Sequence, residues 1–168
     1  MILKITFLTL FPDYITHCLS YSIIKKAQQS GILHFDVVDI RQYGIGKHAK
    51  VDEKPYGGGA GMVLMPKPLS DAIKAVQTNS SFIIHPSPRG EVLTHKTARN
   101  LSENDHLIFI CSYYEGIDQR IIDQYVDLEI SIGDYVITNG SLSALVITDS
   151  LVRFKPGVLG DELSSDTD

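Results

Sequence analysis

The fold class follows from residues 3–38, which read LKITFLTLFPDYITHCLSYSIIKKAQQSGILHFDVV. Residues 3–8 and 32–38 are short runs rich in β-forming apolar side chains, and both predict strands. Between them, Asp13 is a candidate helix N-cap and Gly31 a candidate for the position just beyond the helix C-terminus. A strand, a helix and a second strand in this order are typical of a parallel βαβ unit.

The same alternation continues along the rest of the chain. Apolar runs at 82–84, 107–110 and 128–131 predict three more strands. Helical patterns lie between and after them, at residues 68–76, 94–101 (with Thr94 as N-cap), 117–125 and 141–154. The chain therefore predicts an α/β fold, with a mainly parallel sheet flanked by helices. Such sheets bind ligands in the loops beyond the carboxyl ends of their strands.

Composition limits the class of protein. The 168 residues are 43% hydrophobic and 21% charged, which predicts one globular domain and excludes a disordered chain or a coiled coil. The net charge is −5, which excludes a uniformly basic nucleic-acid binder. Residues 115–168 carry −8 and the residues before them +3, so the first part can still meet a polyanion.

Cysteine usage and hydropathy point to the cytoplasm. Cys18 and Cys111 are too few for a disulfide framework, and no Cys/His spacing is typical of zinc, so no metal site is predicted. The first residues lack the features of a signal peptide, and no apolar run is long enough to span a membrane.

Four stretches are candidates for ligand contact. The first is glycine-rich and reads PYGGGAGM at residues 55–62; it matches neither a P-loop nor a dinucleotide fingerprint. The others follow predicted strands, at residues 85–90, 111–116 and 130–140. Each stretch has two interpretations. A glycine-rich or proline-rich loop is either an ordinary turn or a place where a ligand contacts the backbone. Glu115 is either a ligand contact or a first-turn helix residue that interacts with the helix dipole.

The ordered set of these stretches resembles one family. The runs PYGGGAGM (55–62), YEGID (114–118), EISIGDY (129–135) and PGVLG (156–160) are similar to those of bacterial tRNA (guanine-N1)-methyltransferases, the TrmD family. The resemblance extends over nearly the whole chain. It implies a SPOUT-type α/β domain at residues 1–160 with a deep C-terminal trefoil knot. It also implies transfer of a methyl group from S-adenosylmethionine to N1 of guanosine 37 in tRNA.

The resemblance also implies residue roles. The cofactor would be held bent by three loops, at His85, Pro86, Ser87 and Pro88, at Ser112, Tyr114, Glu115 and Gly116, and at Ile132, Gly133, Asp134, Tyr135, Val136, Ile137 and Gly140. The guanine would meet Tyr56, Gly57, Gly58 and Gly59. Asp168 would be the base that removes the N1 proton, and Arg153 the cation facing guanine O6. The family implies a homodimer whose two chains share each active site.

The chain departs from the family pattern at four positions and in length. Ser112 and Tyr113 replace a usual Gly-Arg, Asn139 a usual Gly, and Ser141 a usual Glu. We expect residues 161–168 to be the start of an interdomain linker and the tRNA-binding C-terminal domain of the family to be absent. We therefore expect a cofactor site with weak or no tRNA methylation in this form. The alternatives are a knotted, dimeric S-adenosylmethionine-binding module without catalysis and a doubly wound protein that binds another nucleotide.

Overall fold

The computed structural model describes residues 2–55, 57–58, 61–113 and 115–159. The strands are β1 (Leu3–Thr9), β2 (Leu33–Asp39), β3 (Asp52–Glu53), β4 (Val63–Leu64), β5 (Ser81–Val92), β6 (His106–Ile110) and β7 (Leu128–Ser131). The helices are α1 (Pro12–Leu19), α2 (Ser22–Gln29), α3 (Pro66–Val76), α4 (His95–Ser102), α5 (Gln119–Tyr125) and α6 (Gly140–Val152).

Five strands form one sheet in the order β2-β1-β6-β5-β7, and every neighbouring pair is parallel. The short strands β3 and β4 pair antiparallel in a separate two-stranded ladder. This arrangement confirms the predicted α/β class with a mainly parallel sheet. None of the helices in the described part of the chain has both the length and the apolar character that crossing a bilayer requires.

Both faces of the sheet are buried, as expected when crossover helices cover a parallel sheet. Phe7 and Phe109 point to one face and stack with ring centroids 5.5 Å apart. Their neighbours Leu8 and Ile108 point to the other face, because side chains alternate along a strand. Buried residues of α1, α2, α4 and α6 pack on the first face, and those of α3 and α5 on the second.

The first βαβ unit differs from its prediction in two respects. The helical segment is broken into α1 and α2 at Ser22, whose φ of +54° does not continue a helix. Phe11 rather than Asp13 precedes the first helix, and Pro12 occupies its first turn, where a missing N–H costs no hydrogen bond. Gly31 has φ +71° just beyond α2, and Thr94 accepts a hydrogen bond from the Thr97 N–H (3.1 Å), so both predicted helix signals are confirmed.

The prediction that residues 85–90 form a loop after a strand is wrong, because these residues are part of β5. Pro86 and Glu91 both pair with Ile130 of β7, so residues 87–90 form an excursion between two paired positions. Pairing with β6 ends at Ile84, and the prolines therefore fall where β5 has only one neighbour. Proline lacks an N–H and is tolerated at such irregular positions.

Candidate functional site

A cavity of about 260 Å³ opens at the carboxyl ends of β6 and β7 and along the part of β5 formed by residues 85–89. This volume is close to the lower end of the range for small-molecule sites, about 300–1,000 Å³. Three separate segments line the cavity, and they correspond to the three predicted cofactor loops. The predicted residues that line it are His85, Pro86, Ser87, Pro88, Ser112, Glu115, Gly116, Ile132, Tyr135, Val136, Ile137 and Gly140.

Two predicted cofactor residues that the structure describes, Gly133 and Asp134, are not among those lining the cavity. Gly133 and Asp134 lie in the third loop, where Gly133 (φ +151°) makes a turn closed by hydrogen bonds with the Ser131 hydroxyl. A Cβ at Gly133 would lie 2.4 Å from the Tyr135 ring, so the glycine lets that ring pack over the turn. Tyr114 lies outside the described residues.

The second and third loops touch through their backbones. The Gly140 N–H donates to the Ser112 carbonyl (2.7 Å), and a Cβ at Gly140 would lie 2.8 Å from the Ser112 nitrogen. Asn139 caps α6 by accepting a hydrogen bond from the Leu142 N–H (3.0 Å). The buried Ser141 hydroxyl lies 3.1 Å from that of Thr9. Asn139 and Ser141 thus have structural roles at the start of α6 next to the cavity.

His85 is a buried histidine on the cavity wall. Its Nδ1 lies 3.2 Å from Oε1 of Glu129, and its Nε2 is buried without a hydrogen-bond partner in the described structure. Burial lowers the pKa of His85, although the Glu129 carboxylate opposes this shift. The ring is therefore neutral at pH 7, with Nδ1–H donated to the carboxylate.

The glycine-rich stretch borders the second loop. Gly61 has φ +90°, and a Cβ there would lie 2.6 Å from Cγ of Glu115. The Glu115 N–H donates to the Met62 carbonyl (3.0 Å). Glu115 therefore links the stretch to the cavity. Since α5 begins only at Gln119, the alternative that placed Glu115 in a first helical turn is wrong.

Gly57 and Gly58, the two predicted guanine-binding residues that the structure describes, are not among the residues that line the cavity. Gly57 and Gly58 have φ of +90° and +85°, with no atom within 4 Å of an added Cβ. Open space and left-handed backbone leave room for a flat ligand to approach these glycines. Tyr56 and Gly59 lie outside the described residues.

Arg153, one of the two predicted catalytic residues, is not among the residues that line this cavity. It directly follows α6, whose residues Gly140 and Ser143 line the cavity. At a rise of about 1.5 Å per residue, Arg153 lies about 20 Å along the helix from Gly140 and about 15 Å from Ser143. Asp168 lies outside the described residues.

Several lining residues were missed by sequence reasoning. Arg89 follows Pro88 directly, and Ser143 lies one helical turn after Gly140, so sequence spacing could have found both. Tyr113 packs against Phe11 with ring centroids 4.9 Å apart, a contact between distant segments that no local pattern shows. Six of the lining residues lie within the candidate stretches but were not assigned to the cofactor: Arg89, Tyr113, Ile130, Ser131, Thr138 and Asn139. Ile117, Ile122 and Ser143 lie outside those stretches and were missed altogether.

Comparison with known proteins decides the family. Residues 3–168 match the family described as tRNA (Guanine-1)-methyltransferase TrmD. The chain belongs to this family. It is 49% identical over 164 residues to the tRNA (guanine-N(1)-)-methyltransferase of Carboxydothermus hydrogenoformans, covering 98% of this chain and 65% of that protein. For the enzymes of that name from Halalkalibacterium halodurans and Clostridium perfringens, identity is 50% in each case, over 99% and 96% of this chain and 69% and 68% of theirs.

The chain therefore spans about two thirds of the length of these relatives. Family membership confirms the resemblance inferred from the four ordered motifs. It favours the methyltransferase interpretation over a protein that binds another nucleotide. The trefoil knot of the TrmD family stays a prediction for this chain.

Proposed function

We propose that this chain is the methyltransferase domain of a tRNA (guanine-N1)-methyltransferase acting on guanosine 37. One observation carries the proposal: Glu115 joins the glycine-rich stretch at Gly61 to the cavity at the sheet's carboxyl ends. A cavity for a methyl donor and a glycine-lined surface for a base therefore lie on either side of one loop. Methyl transfer requires this juxtaposition, because donor and acceptor must be aligned within contact distance.

The residues present fit S-adenosylmethionine. Among the described residues, the backbone N–H groups of 136–138 have no internal hydrogen-bond partner, so they can donate hydrogen bonds to acceptor nitrogens on the edge of an adenine. Ile132, Ile137 and Pro86 supply apolar surface for its faces. Ser87 and Glu115 can hold hydroxyl or amino groups. When bound, the cofactor would supply an electrophilic methyl group on a sulfonium.

The chain's own residues would prepare the base. Guanine N1 carries a proton at neutral pH, so a carboxylate must accept that proton as the new N–CH₃ bond forms. We assign this role to Asp168. Charge develops toward guanine O6, and we assign its stabilisation to the Arg153 guanidinium. The products are then N1-methylguanosine, S-adenosylhomocysteine and protonated Asp168.

We further propose that two copies of the chain share each site. Arg153 lies about 15 Å along α6 from Ser143, the last residue of that helix on the cavity wall of its own chain, too far for direct contact with a base bound there. A second chain can bring its own Arg153 to that cavity. Exposed apolar side chains on or next to the paired helices α1 and α6 support a second chain as their cover: Phe11, Tyr14, Leu142 and Val146, each 40–41% exposed.

Two assays test the function. Calorimetric titration with S-adenosylhomocysteine should show saturable binding. Labelled methyl transfer to a tRNA transcript, even at a low rate, should require guanosine 37 and vanish for a transcript with adenosine at that position. Asp168→Asn should abolish transfer, whereas the neighbouring control Asp166→Asn should retain it. Equal labelling of both transcripts would contradict the assigned target, and binding without any transfer would favour a non-catalytic binding module.

Mixing tests the shared site. A chain carrying Arg153→Ala and one carrying Gly140→Val should each be inactive, and a mixture should regain transfer because one site in the mixed dimer has both native parts. Sedimentation should show a dimer that Val146→Glu weakens. A monomeric wild-type chain, or a mixture as inactive as its parts, would contradict the proposal.

A further inference from the structure

Arg89 lies on the wall of the cavity, on the β5 excursion formed by residues 87–90. Among the described lining residues it is the only lysine or arginine. Its side chain is exposed, and it forms no ion pair with the described part of the chain. An arginine without a counter-ion beside a cavity is available for an anionic group of a ligand.

The position of Arg89 is fixed by backbone contacts. Its N–H donates to the Ser87 hydroxyl (3.3 Å), which closes the turn of the excursion. At the other end, Gly90 approaches β7 so closely that a Cβ there would lie 2.4 Å from the Glu129 carbonyl carbon. These contacts do not use the guanidinium. The side chain can therefore be replaced without removing what holds the turn.

Nearby charges leave the guanidinium uncompensated. Glu129, the acidic residue of the adjoining strand, has its Oε1 directed to Nδ1 of His85. Burial is the main cause of the lowered pKa of His85, and the nearby charge of Arg89 acts in the same direction. Glu115, the acidic lining residue, has its side chain against Gly61 in the glycine-rich stretch. A ligand that reaches the β5 wall thus meets a cation.

We propose that Arg89 binds the α-carboxylate of the amino-acid part of S-adenosylmethionine. The inference rests on the proposed function, because it assigns an orientation to the cofactor in the same cavity. A carboxylate matches the guanidinium fork and can accept two parallel N–H bonds. The amino-acid end then lies along the excursion 87–90, and the adenine lies toward the third loop.

Calorimetry with two ligands tests the assignment. One is S-adenosylhomocysteine, and the other is its decarboxylated analogue, which retains the amine and lacks only the carboxylate. Arg89→Gln should weaken binding of the first ligand about tenfold and leave the second unchanged. Arg89→Lys should restore part of the loss, since an ammonium keeps the charge without the fork. Lys67→Gln, an equal charge change on the exposed face of α3, should alter neither affinity.

Each other outcome overturns the proposal. An equal loss for both ligands would show that Arg89 shapes the cavity without meeting the carboxylate. No loss for either, accompanied by weaker binding of a tRNA transcript, would make Arg89 a phosphate contact. A wild-type chain that binds neither ligand would overturn the proposed function itself, and that failure is distinct because it is seen before any substitution.

Discussion

The two buried histidines of the sheet have opposite surroundings. At the amino end of β6, the two ring nitrogens of His106 lie 2.8 Å from the hydroxyls of Thr6 and Ser81. At the cavity, His85 has only Glu129 as a partner, and its Nε2 has none in the described structure. Among the described residues, the histidine at the amino end of β6 therefore has both ring nitrogens paired, whereas the histidine on the cavity wall has one unpaired.

This difference separates stability from binding. Buried polar groups are normally paired, so an unpaired one on a cavity wall, such as Nε2 of His85, indicates where a ligand can complete the hydrogen bonding. Most of the folding free energy should come from the strand centres, where both faces are buried. Substitutions at the centre should therefore change stability, and substitutions around the cavity should change affinity for S-adenosylhomocysteine.

The largest effect is expected at the centre of the sheet. Phe109 is fully buried and stacks on Phe7, so Phe109→Ala should lower the free energy of unfolding by about 3–5 kcal/mol. Urea denaturation measures this loss. Phe11→Ala, at a side chain that is 40% exposed, is the control and should cost clearly less. Equal losses would contradict the view that the strand centres dominate stability.

A substitution where two cavity loops meet should affect both properties. In Gly140→Ala the new methyl group would lie 2.8 Å from the Ser112 nitrogen, and that backbone must shift. We expect a stability loss of about 1–3 kcal/mol and at least tenfold weaker S-adenosylhomocysteine binding, measured by denaturation and calorimetry. Gly31→Ala is the control for affinity: its φ of +71° makes an alanine cost stability, but its surroundings are open and it lies far from the cavity in sequence, so S-adenosylhomocysteine binding should not change. Unchanged S-adenosylhomocysteine affinity in Gly140→Ala would show that binding does not depend on the contact between these two loops.

Sequence reasoning was strongest where the pattern is local. The strands of the main sheet, the Thr94 cap and Gly31 follow from periodicity and capping chemistry, and all three were confirmed. The excursion of β5 was missed because its pairing depends on Ile130, more than 40 residues away in the chain. The contact of Glu115 with Gly61 likewise depends on tertiary packing. The sequence therefore predicted the segments of the cavity better than the contacts between them.

The pH dependence of stability should reveal the environment of His85. Burial lowers the pKa of His85 in the folded state, so between that value and about 6.5 the unfolded chain holds a proton that the folded chain lacks. Stability is therefore fully present above about pH 6.5 and falls as the pH drops toward the folded-state pKa. The fall is at most about 1.4 kcal/mol per pH unit for one proton.

His85→Asn tests this dependence, because the Asn amide can still donate to Glu129 but does not titrate. We expect a smaller loss of unfolding free energy between pH 7 and pH 5, with the remaining slope partly due to His106, whose pKa is also lowered by burial. The control His48→Asn replaces an exposed histidine and should leave the slope unchanged. A wild-type slope in His85→Asn would show that this ring gains its proton equally in both states.

The smallest effect is expected at Thr94, on the border between the part of the fold that sets stability and the cavity that binds the ligand. Thr94→Ala removes the hydrogen bond to the Thr97 N–H and should cost about 1 kcal/mol of unfolding free energy. Thr94→Ser, which keeps the hydroxyl, should recover most of that loss.

Thr94 follows β5 by two residues, and the Leu93 N–H donates to the Ser131 carbonyl (2.7 Å) beside the cavity. Calorimetry should nevertheless show unchanged S-adenosylhomocysteine affinity, because the lost bond lies within the first turn of α4 and leaves the β5–β7 pairing intact. A fall in affinity would mean that the cavity depends on the anchoring of α4, and the separation between stability and binding would then fail at this border.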